Sequence, residues 1–276
     1  MALEITNPPG ADLPPGFFWC SMKEWLYGRN AVYETMRARR RQFFRLWLAQ
    51  GAEEKGHMGD IIRMAAAVKL PIERVLRSKL DTLGNGHQGV ALEASSYLYS
   101  ALPDVLALAA RKGEAPFLLI LDVLQDPQNL GTLLRTAEAV GIHGVLLPFR
   151  HAATVTPAVV NSSSGATEHL LIVQVNLAQA IQYLKEENIW VIGLDAGTEA
   201  QPLNKVRLDG PLALVIGGEG SGMRALVRKS CDGLLRLPMQ GRVESLNAAV
   251  AGSVALYFAW QRRGINSKPI DENTKS

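Results

Sequence analysis

LALVIGGEGSGM (residues 212–223) and LLRLPMQGRVESLNAAVAGSVALYFAW (residues 234–260) decide how this chain is read. Two short apolar runs, Leu212–Ile216 and Leu234–Leu237, stop at sharp breaks: Gly217-Gly218-Glu219-Gly220-Ser221-Gly222 after the first, Pro238 after the second. Runs of that length between Gly and Pro read as buried strands. Loops leaving the C-terminal ends of such strands are where α/β sheets bind ligands. Leu246–Arg262 follows without proline and reads as a helix, with Ser245 as its N-cap. Two loops and a helix start therefore converge. The glycine loop is neither a dinucleotide fingerprint nor a P-loop, because Met223 stands where each pattern needs Gly or Lys. Glycines around Glu219 allow close backbone approach to a ligand or simply a tight turn, and the sequence leaves both open.

Working outward, the 276 residues suffice for one large or two ordinary domains. Hydrophobic content of 47% and charged content of 20% describe a globular chain. No apolar run is long enough to span a bilayer, and the acidic, proline-rich start MALEITNPPGADLPPG is unlike a signal peptide. These features predict a cytoplasmic protein with no membrane partner. Cys20 and Cys231 lie far apart, and His57, His87, His143, His151 and His169 show no ligand spacing, so no metal site is expected. The net charge of +3 is uneven: Lys23–Asn85 carries +6, leaving −3 elsewhere. Such asymmetry fits a nucleic-acid-facing portion or a solvated basic face.

The pattern predicts a lead over 1–20, a small α/β unit over 21–96, a connector over 97–116 with a helix at Pro103–Lys112, a second α/β unit over 117–263, and a tail over 264–276. In the first unit, Glu24–Arg37 reads as a turn continuing into a helix. Gln42–Ala49, Ile72–Leu76 and Val90–Glu93 read as strands, and Lys55–Val68 as a helix. In the second, strands at Phe117–Val123, Gly144–Leu147, Leu170–Val175 and Trp190–Leu194 alternate with helices at Leu130–Val140, Pro157–Ser162 and Ala178–Glu187. That alternation implies a mostly parallel sheet covered on both faces.

Three polar clusters follow predicted strands: Asp126–Gly131 with Arg135 beyond it, Gly217–Met223 with Glu219, and Pro238–Asn247 with Arg242, Glu244, Ser245 and Asn247. Taken singly, Asn129 and Ser245 read equally as helix caps. Together, DPQNLGTLLRTAEAVGI, VIGGEGSGM and LPMQGRVESLNAAVA resemble the three motifs of the SpoU/TrmH family of RNA ribose 2′-O-methyltransferases, in the SPOUT class. The resemblance spans about Phe117 to Gln261, while GRNAVYETMRA and HQGV are similar to that family's small L30e-like RNA-binding domain. Ser163-Ser164-Gly165-Ala166 departs slightly, standing where Ser-Ala-Gly-Ala is common.

The resemblance implies an α/β C-terminal parallel-sheet domain tied in a trefoil knot, an N-terminal substrate-binding domain, a homodimer, and S-adenosylmethionine as the only cofactor. It points to enzymes that methylate a guanosine ribose of large-subunit (23S) ribosomal RNA; the alternatives are transfer RNA or another ribosomal nucleotide as substrate, or a non-catalytic RNA-binding assembly factor of the same fold, against which Asn129, Arg135, Glu219 and Asn247 speak. Carried over, cofactor contacts fall at Leu194, Ala196, Gly217, Leu237 and Leu246. The polar positions are Asn129, Arg135, Glu219, Ser245 and Asn247. Arg135 is a general base in one reading; in the other it clamps the target phosphate, which suits a guanidinium better. Glu219 would orient Arg135 or Asn129, and Ser245 and Asn247 would fix the third loop. RNA contacts are expected from Arg29, Asn30, Arg39, Arg40, Arg41, His87 and Gln88; a solvated strand edge would explain the arginine run as well. Ala248, Ala251, Gly252 and Ala255 form a small-residue helix face, for a second subunit or for this chain's own sheet.

Overall fold

The computed structural model describes residues 22–150, 153–220, 222–242 and 245–264. The expected lead over 1–20, the tail beyond Gly264, Cys20, His151 and Glu244 lie outside them.

The N-terminal unit runs β1 (Lys23–Tyr27), α1 (Arg29–Ala38), β2 (Phe43–Ala49), α2 (His57–Ala67), β3 (Ile72–Val75), α3 (Arg77–Asp81) and β4 (Val90–Ser95). Its sheet has the order β1-β4-β2-β3, antiparallel except for β2 beside β3. Period-two alternation splits the sheet into two faces. Leu46, Leu48 and Leu92 join α1 and α2 in one core; Trp47, Ala49 and Ala91 pack with Leu80 of α3 on the other side.

After α4 (Leu102–Lys112) the chain builds β5 (Phe117–Leu121), α5 (Pro127–Ala139), β6 (Gly144–Pro148), α6 (Pro157–Ser162), β7 (Ile172–Val175), α7 (Leu177–Glu186), β8 (Trp190–Leu194), β9 (Gln201–Pro202), β10 (Leu212–Ile216), α8 (Ala225–Ser230), β11 (Gly233–Arg236) and α9 (Ala248–Arg262). The strands form one parallel sheet of order β7-β6-β5-β10-β8-β11-β9. β5 and β10 are wholly buried, as strands of a sheet covered on both faces must be. Phe117, Leu119, Leu121, Leu212, Leu214 and Ile216 face α5 and α9. Leu118, Ile120, Ala213 and Val215 face α4, α7 and α8.

Most element ends shift by a residue or two from the sequence reading, and three changes have a clear local cause. Lys23–Tyr27 is a strand rather than a turn into a helix, because Gly28 (φ 94°) breaks the chain before α1. A Cβ at Gly28 would strike the Asn161 side chain. α5 begins at Pro127, three residues early, since the Asp126 carboxylate accepts from the Gln128 and Asn129 N–H groups at 3.1 and 3.3 Å and proline suits the first helical position. α9 begins at Ala248, and its N-cap is Asn247 rather than Ser245: Asn247 Oδ1 accepts from Ala249 and Val250 N–H at 2.9 and 3.2 Å. The short elements α3, α8 and β9 were not anticipated, being too brief to show a period.

Candidate active site and neighbouring clefts

The ends of β5, β10, β8 and β11 stand side by side, with Leu121 opposite Ile216, Ile216 opposite Leu194, and Leu235 opposite Leu194. Their loops deliver the candidate residues to one edge. Asn129, in the first turn of α5, donates through Nδ2 to Glu219 Oε1. Asn247 donates to the same oxygen at 2.7 Å and to Asn129 Oδ1 at 3.2 Å. One carboxylate thus ties the three motif loops together. Asp126 and Asn247 do the capping, which leaves the Asn129 amide free for this network. Asn129 and Glu219 line a cleft of about 520 Å³ with Val123, Leu124, Gln125 and Asp126. Ser245 is exposed and its hydroxyl has no hydrogen bond among the described residues.

The glycines of the second loop answer to close packing. A Cβ on Gly217 would enter the backbone of Gly222 and Met223, and one on Gly218 the Val123 carbonyl. Gly218 and Gly222 exchange N–H···O bonds at 3.2 and 3.1 Å, presenting Glu219 at a tight hairpin tip. Val123 holds φ 58°, a left-handed conformation costly for a β-branched residue. Leu194 and Leu237 are half-buried, Ala196 and Leu246 exposed, and Gly217 buried. The adjoining Asp195 carboxylate accepts from Gly197 N–H at 2.7 Å and Arg228 Nε at 2.9 Å. Burial alone would raise the Asp195 carboxyl, but those donors outweigh it and hold it below the usual range.

Sequence reasoning missed Asp122. It is fully buried at the end of β5, and its carboxylate accepts from Arg224 N and Nε, each at 2.7 Å, fixing the start of α8 beside the glycine loop. An acid closing an otherwise apolar strand is the signal that could have revealed it.

Arg135 lies apart from the Asn129–Glu219–Asn247 network. Glu219 orients the two asparagines, not Arg135. Arg135 instead donates to Ser164 Oγ at 3.1 Å and has no carboxylate partner among the described residues. It lines a second cleft of about 570 Å³ between the two units. Ser164 is the residue that departs from the family motif.

The basic candidates divide. Arg29, Asn30 and Gln88 are exposed and adjacent: Arg29 N donates to Gln88 Oε1 at 3.0 Å, and Arg29 Nε to Gln88 O at 3.2 Å. They line a third cleft of about 700 Å³. Arg39 is exposed at the end of α1. Arg40 and Arg41 correct the expectation, because both are spent inside the protein. The Arg41 side chain is 1% exposed and pairs bidentately with Glu168, itself 0% exposed, at 2.9 and 2.8 Å; it also bonds Glu24 and Ser95 O (3.0 Å). Burial alone would ease its proton off, but the two carboxylates outweigh that and hold it firmly cationic. Arg40 bonds Leu170 O and, at 3.3 Å, the Tyr97 hydroxyl. Together with Asn161 Nδ2 donating to Tyr27 O at 2.8 Å, these contacts make the seam between the units. His87 is also withdrawn: it is buried, paired with Asp81 at 2.8 Å and accepting from Gly89 N–H at 3.0 Å.

A model of the SpoU rRNA Methylase family matches residues 116–257, and one described as RNA 2′-O ribose methyltransferase substrate binding matches residues 25–100. The fold, the loop network and these matches define an RNA methyltransferase with its own substrate-binding unit. The chain belongs to the SpoU rRNA methylase family. It is 43% identical, over 87% of its length and 96% of the relative's, to the Bacillus subtilis (strain 168) protein named "Putative TrmH family tRNA/rRNA methyltransferase YacO". Two solved structures share the fold. The SpoU methyltransferase AviRb from Streptomyces viridochromogenes, in complex with the cofactor AdoMet, has TM-score 0.73 and 23% identity, over 88% of this chain and 91% of that one. An AdoMet-bound rRNA methyltransferase from Sinorhizobium meliloti has TM-score 0.71 and 21% identity, over 89% and 88%. Among the described residues no helix is long and apolar enough to cross a membrane, and no three His, Cys, Asp or Glu side chains cluster as metal ligands would.

Proposed function

We propose that this chain is an S-adenosylmethionine-dependent ribose 2′-O-methyltransferase of large-subunit (23S) ribosomal RNA, acting on a guanosine in the cytoplasm. The observation that carries the reading is the Asn129–Glu219–Asn247 network, which joins all three motif loops at one sheet edge. Leu194, Ala196, Gly217, Leu237 and Leu246 fit the cofactor, with apolar groups for its adenine and backbone groups for its polar edge. When bound, it supplies an electrophilic methyl group. Relatives crystallised with AdoMet share this fold.

The remaining work is placement. Arg135, with no carboxylate partner among the described residues, holds the target phosphate as a fork, which favours the clamp over the general base. Glu219 fixes the Asn129 amide, leaving the network to orient the ribose. The 2′-hydroxyl proton goes to the neighbouring phosphate or to water. Residues 21–96 choose the RNA, 97–116 join the units, and 117–263 carry the transfer; the two family matches support this division.

The knot belongs to the proposal too; β10 between β5 and β8, with β11 beyond, supports it. So does a homodimer. The small residues of α9 are used internally, since a Cβ on Gly252 would meet Ile216 and Leu133. The opposite face leaves Val250, Val254 and Tyr257 about half exposed, an apolar stripe that a second copy would cover. Mapping ribose methylation in ribosomal and transfer RNA with and without the gene tests the reading. One guanosine of 23S RNA losing its methyl group is the expected result; loss confined to transfer RNA would reassign the substrate, and no loss in either would refute the activity.

A further inference from the structure

The cleft of about 700 Å³ on the N-terminal unit and the cleft of about 570 Å³ that holds Arg135 share two residues, Asn30 and His57. They are one track with His57 as its divide. The first stretch presents Arg29, Lys55 and Arg77 against a single carboxylate, Glu53. In the second, Glu34 is engaged by His169 at 2.7 Å and Arg37 at 3.6 Å. Glu138 is the remaining acid there. Arg77 and Arg135 have no ion-pair partner among the described residues, so both charges are open to an anionic chain.

His57 is held on two sides yet stays exposed. Its ring stacks on Tyr33 with centroids 4.3 Å apart and planes 2° from parallel. Its Nδ1 donates to Asn30 Oδ1 at 3.1 Å, since an amide oxygen only accepts. One face and one edge are fixed, yet the residue is exposed at the meeting of two clefts. The Trp25–Trp47 stack is the useful contrast. There Trp47 is buried, its indole N–H donates to Glu73 at 2.9 Å, and Arg45 and Lys79 lie against its ring. That stack is consumed by the fold. Among the described residues no Lys or Arg lies over the Tyr33 ring, and His57 on its other side is exposed.

We propose that His57 is the stacking platform for an unpaired nucleobase flanking the methylated nucleotide, with phosphates on either side held by Arg77 and Arg29 in one cleft and Arg135 in the other. This rests on the RNA methyltransferase reading and adds a specificity site to it. Unpaired bases stack on flat side chains and are read at their edges, whereas a duplex hides those faces. The ligand is therefore single-stranded RNA, a loop or bulge. His57 touches a base beside the reacting nucleotide, so it governs which RNA is held rather than the transfer itself.

The test uses the full-length protein, S-adenosylmethionine, and total ribosomal RNA from a strain lacking the gene, with methyl transfer and equilibrium RNA binding measured in parallel. His57→Ala raises KM for RNA about tenfold, the scale of one lost base stack, and leaves kcat and cofactor affinity within about twofold. His57→Phe, which keeps the flat ring and loses the bond to Asn30, recovers most of the loss. Arg77→Ala lowers the slope of log affinity against log salt by about 0.7, one phosphate on a single strand. A His57→Ala protein with wild-type KM and RNA affinity overturns the platform, as does a His57→Phe protein as weak as His57→Ala. Wild-type protein that binds RNA in a His57-dependent way without transferring methyl supports the platform and sinks the methyltransferase reading. Transfer with a His57-independent KM does the reverse, and wild-type protein that binds no RNA overturns both.

Discussion

Arg40 and Arg41 stand beside each other in the most basic run of the chain, and both point inward. Arg29, Arg77 and Arg135 are scattered through it, and all three face open clefts. The difference lies in the partners. Arg41 meets a fully buried carboxylate, Glu168, from the other unit, and Arg40 meets carbonyls and the Tyr97 hydroxyl. Among the described residues, Arg135 meets a serine hydroxyl and no carboxylate. A run of arginines in a basic domain thus marks the seam that fixes the two units together, while isolated arginines carry the charge left open in the clefts. Position of charge along the chain tells little; whether a carboxylate answers it tells much.

The comparison breaks first at the seam. Arg41→Met strands Glu168 as an unpaired buried charge and costs about 3–5 kcal/mol of stability, read as a lower urea midpoint. Arg41→Met combined with Glu168→Leu recovers most of that loss, because the orphaned carboxylate is gone. A single variant as stable as wild type would remove the seam from the account. At the cleft the pattern inverts: Arg135→Ala leaves the urea midpoint unchanged and reduces methyl transfer at least about a hundredfold, the usual scale for a lost charged donor at a reacting centre. Arg135→Lys also transfers poorly, since an ammonium has no fork.

Smaller effects sharpen the picture. Asn247→Ala removes the cap of α9, worth about 1 kcal/mol, and also releases Glu219 and Asn129, so activity falls further than stability. Equal, modest losses in both would reduce Asn247 to a cap. The smallest effect is a pH dependence of the seam. The hydrogen bond that His169 Nε2 donates to the Glu34 carboxylate raises the imidazole against the opposing effect of burial, and the same bond lowers Glu34. Their pairing stabilises fully below the ordinary imidazole value of 6.5 and above the ordinary carboxylate value of 4.5. It fades as pH rises through the raised imidazole value or falls through the lowered carboxylate value. His169→Asn therefore lowers the melting midpoint at about pH 5.5 and scarcely at about pH 8.5, by well under about 1 kcal/mol because both groups are partly exposed. An equal effect at both pH values would contradict the pairing.

The parallel sheet was legible because its strands are short, fully apolar and punctuated by Gly and Pro, and the helix α5 because its period is long. What failed were local decisions that tertiary contacts settle. KEWLY carries too few residues to declare a strand until β4 lies beside it. Asp126 and Asn247 won the caps from Asn129 and Ser245 because their side chains reach the first free N–H groups. The motifs named Asn129, Glu219 and Asn247 as residues of one site, and the structure joins them through one carboxylate oxygen. His57, Arg77 and Asp122 carried no pattern of their own; each gains meaning only from neighbours distant in sequence.

Cofactor binding and methyl transfer measured side by side for the wild-type protein and Arg135→Ala test the central claim most directly. The protein is given S-adenosylmethionine carrying a labelled methyl group and ribosomal RNA from a strain lacking the gene, and the labelled nucleosides are then separated. Label is expected in a ribose-methylated guanosine with wild-type protein, and none with Arg135→Ala despite unchanged cofactor affinity. Undiminished transfer by Arg135→Ala, or loss of cofactor binding together with transfer, would contradict it.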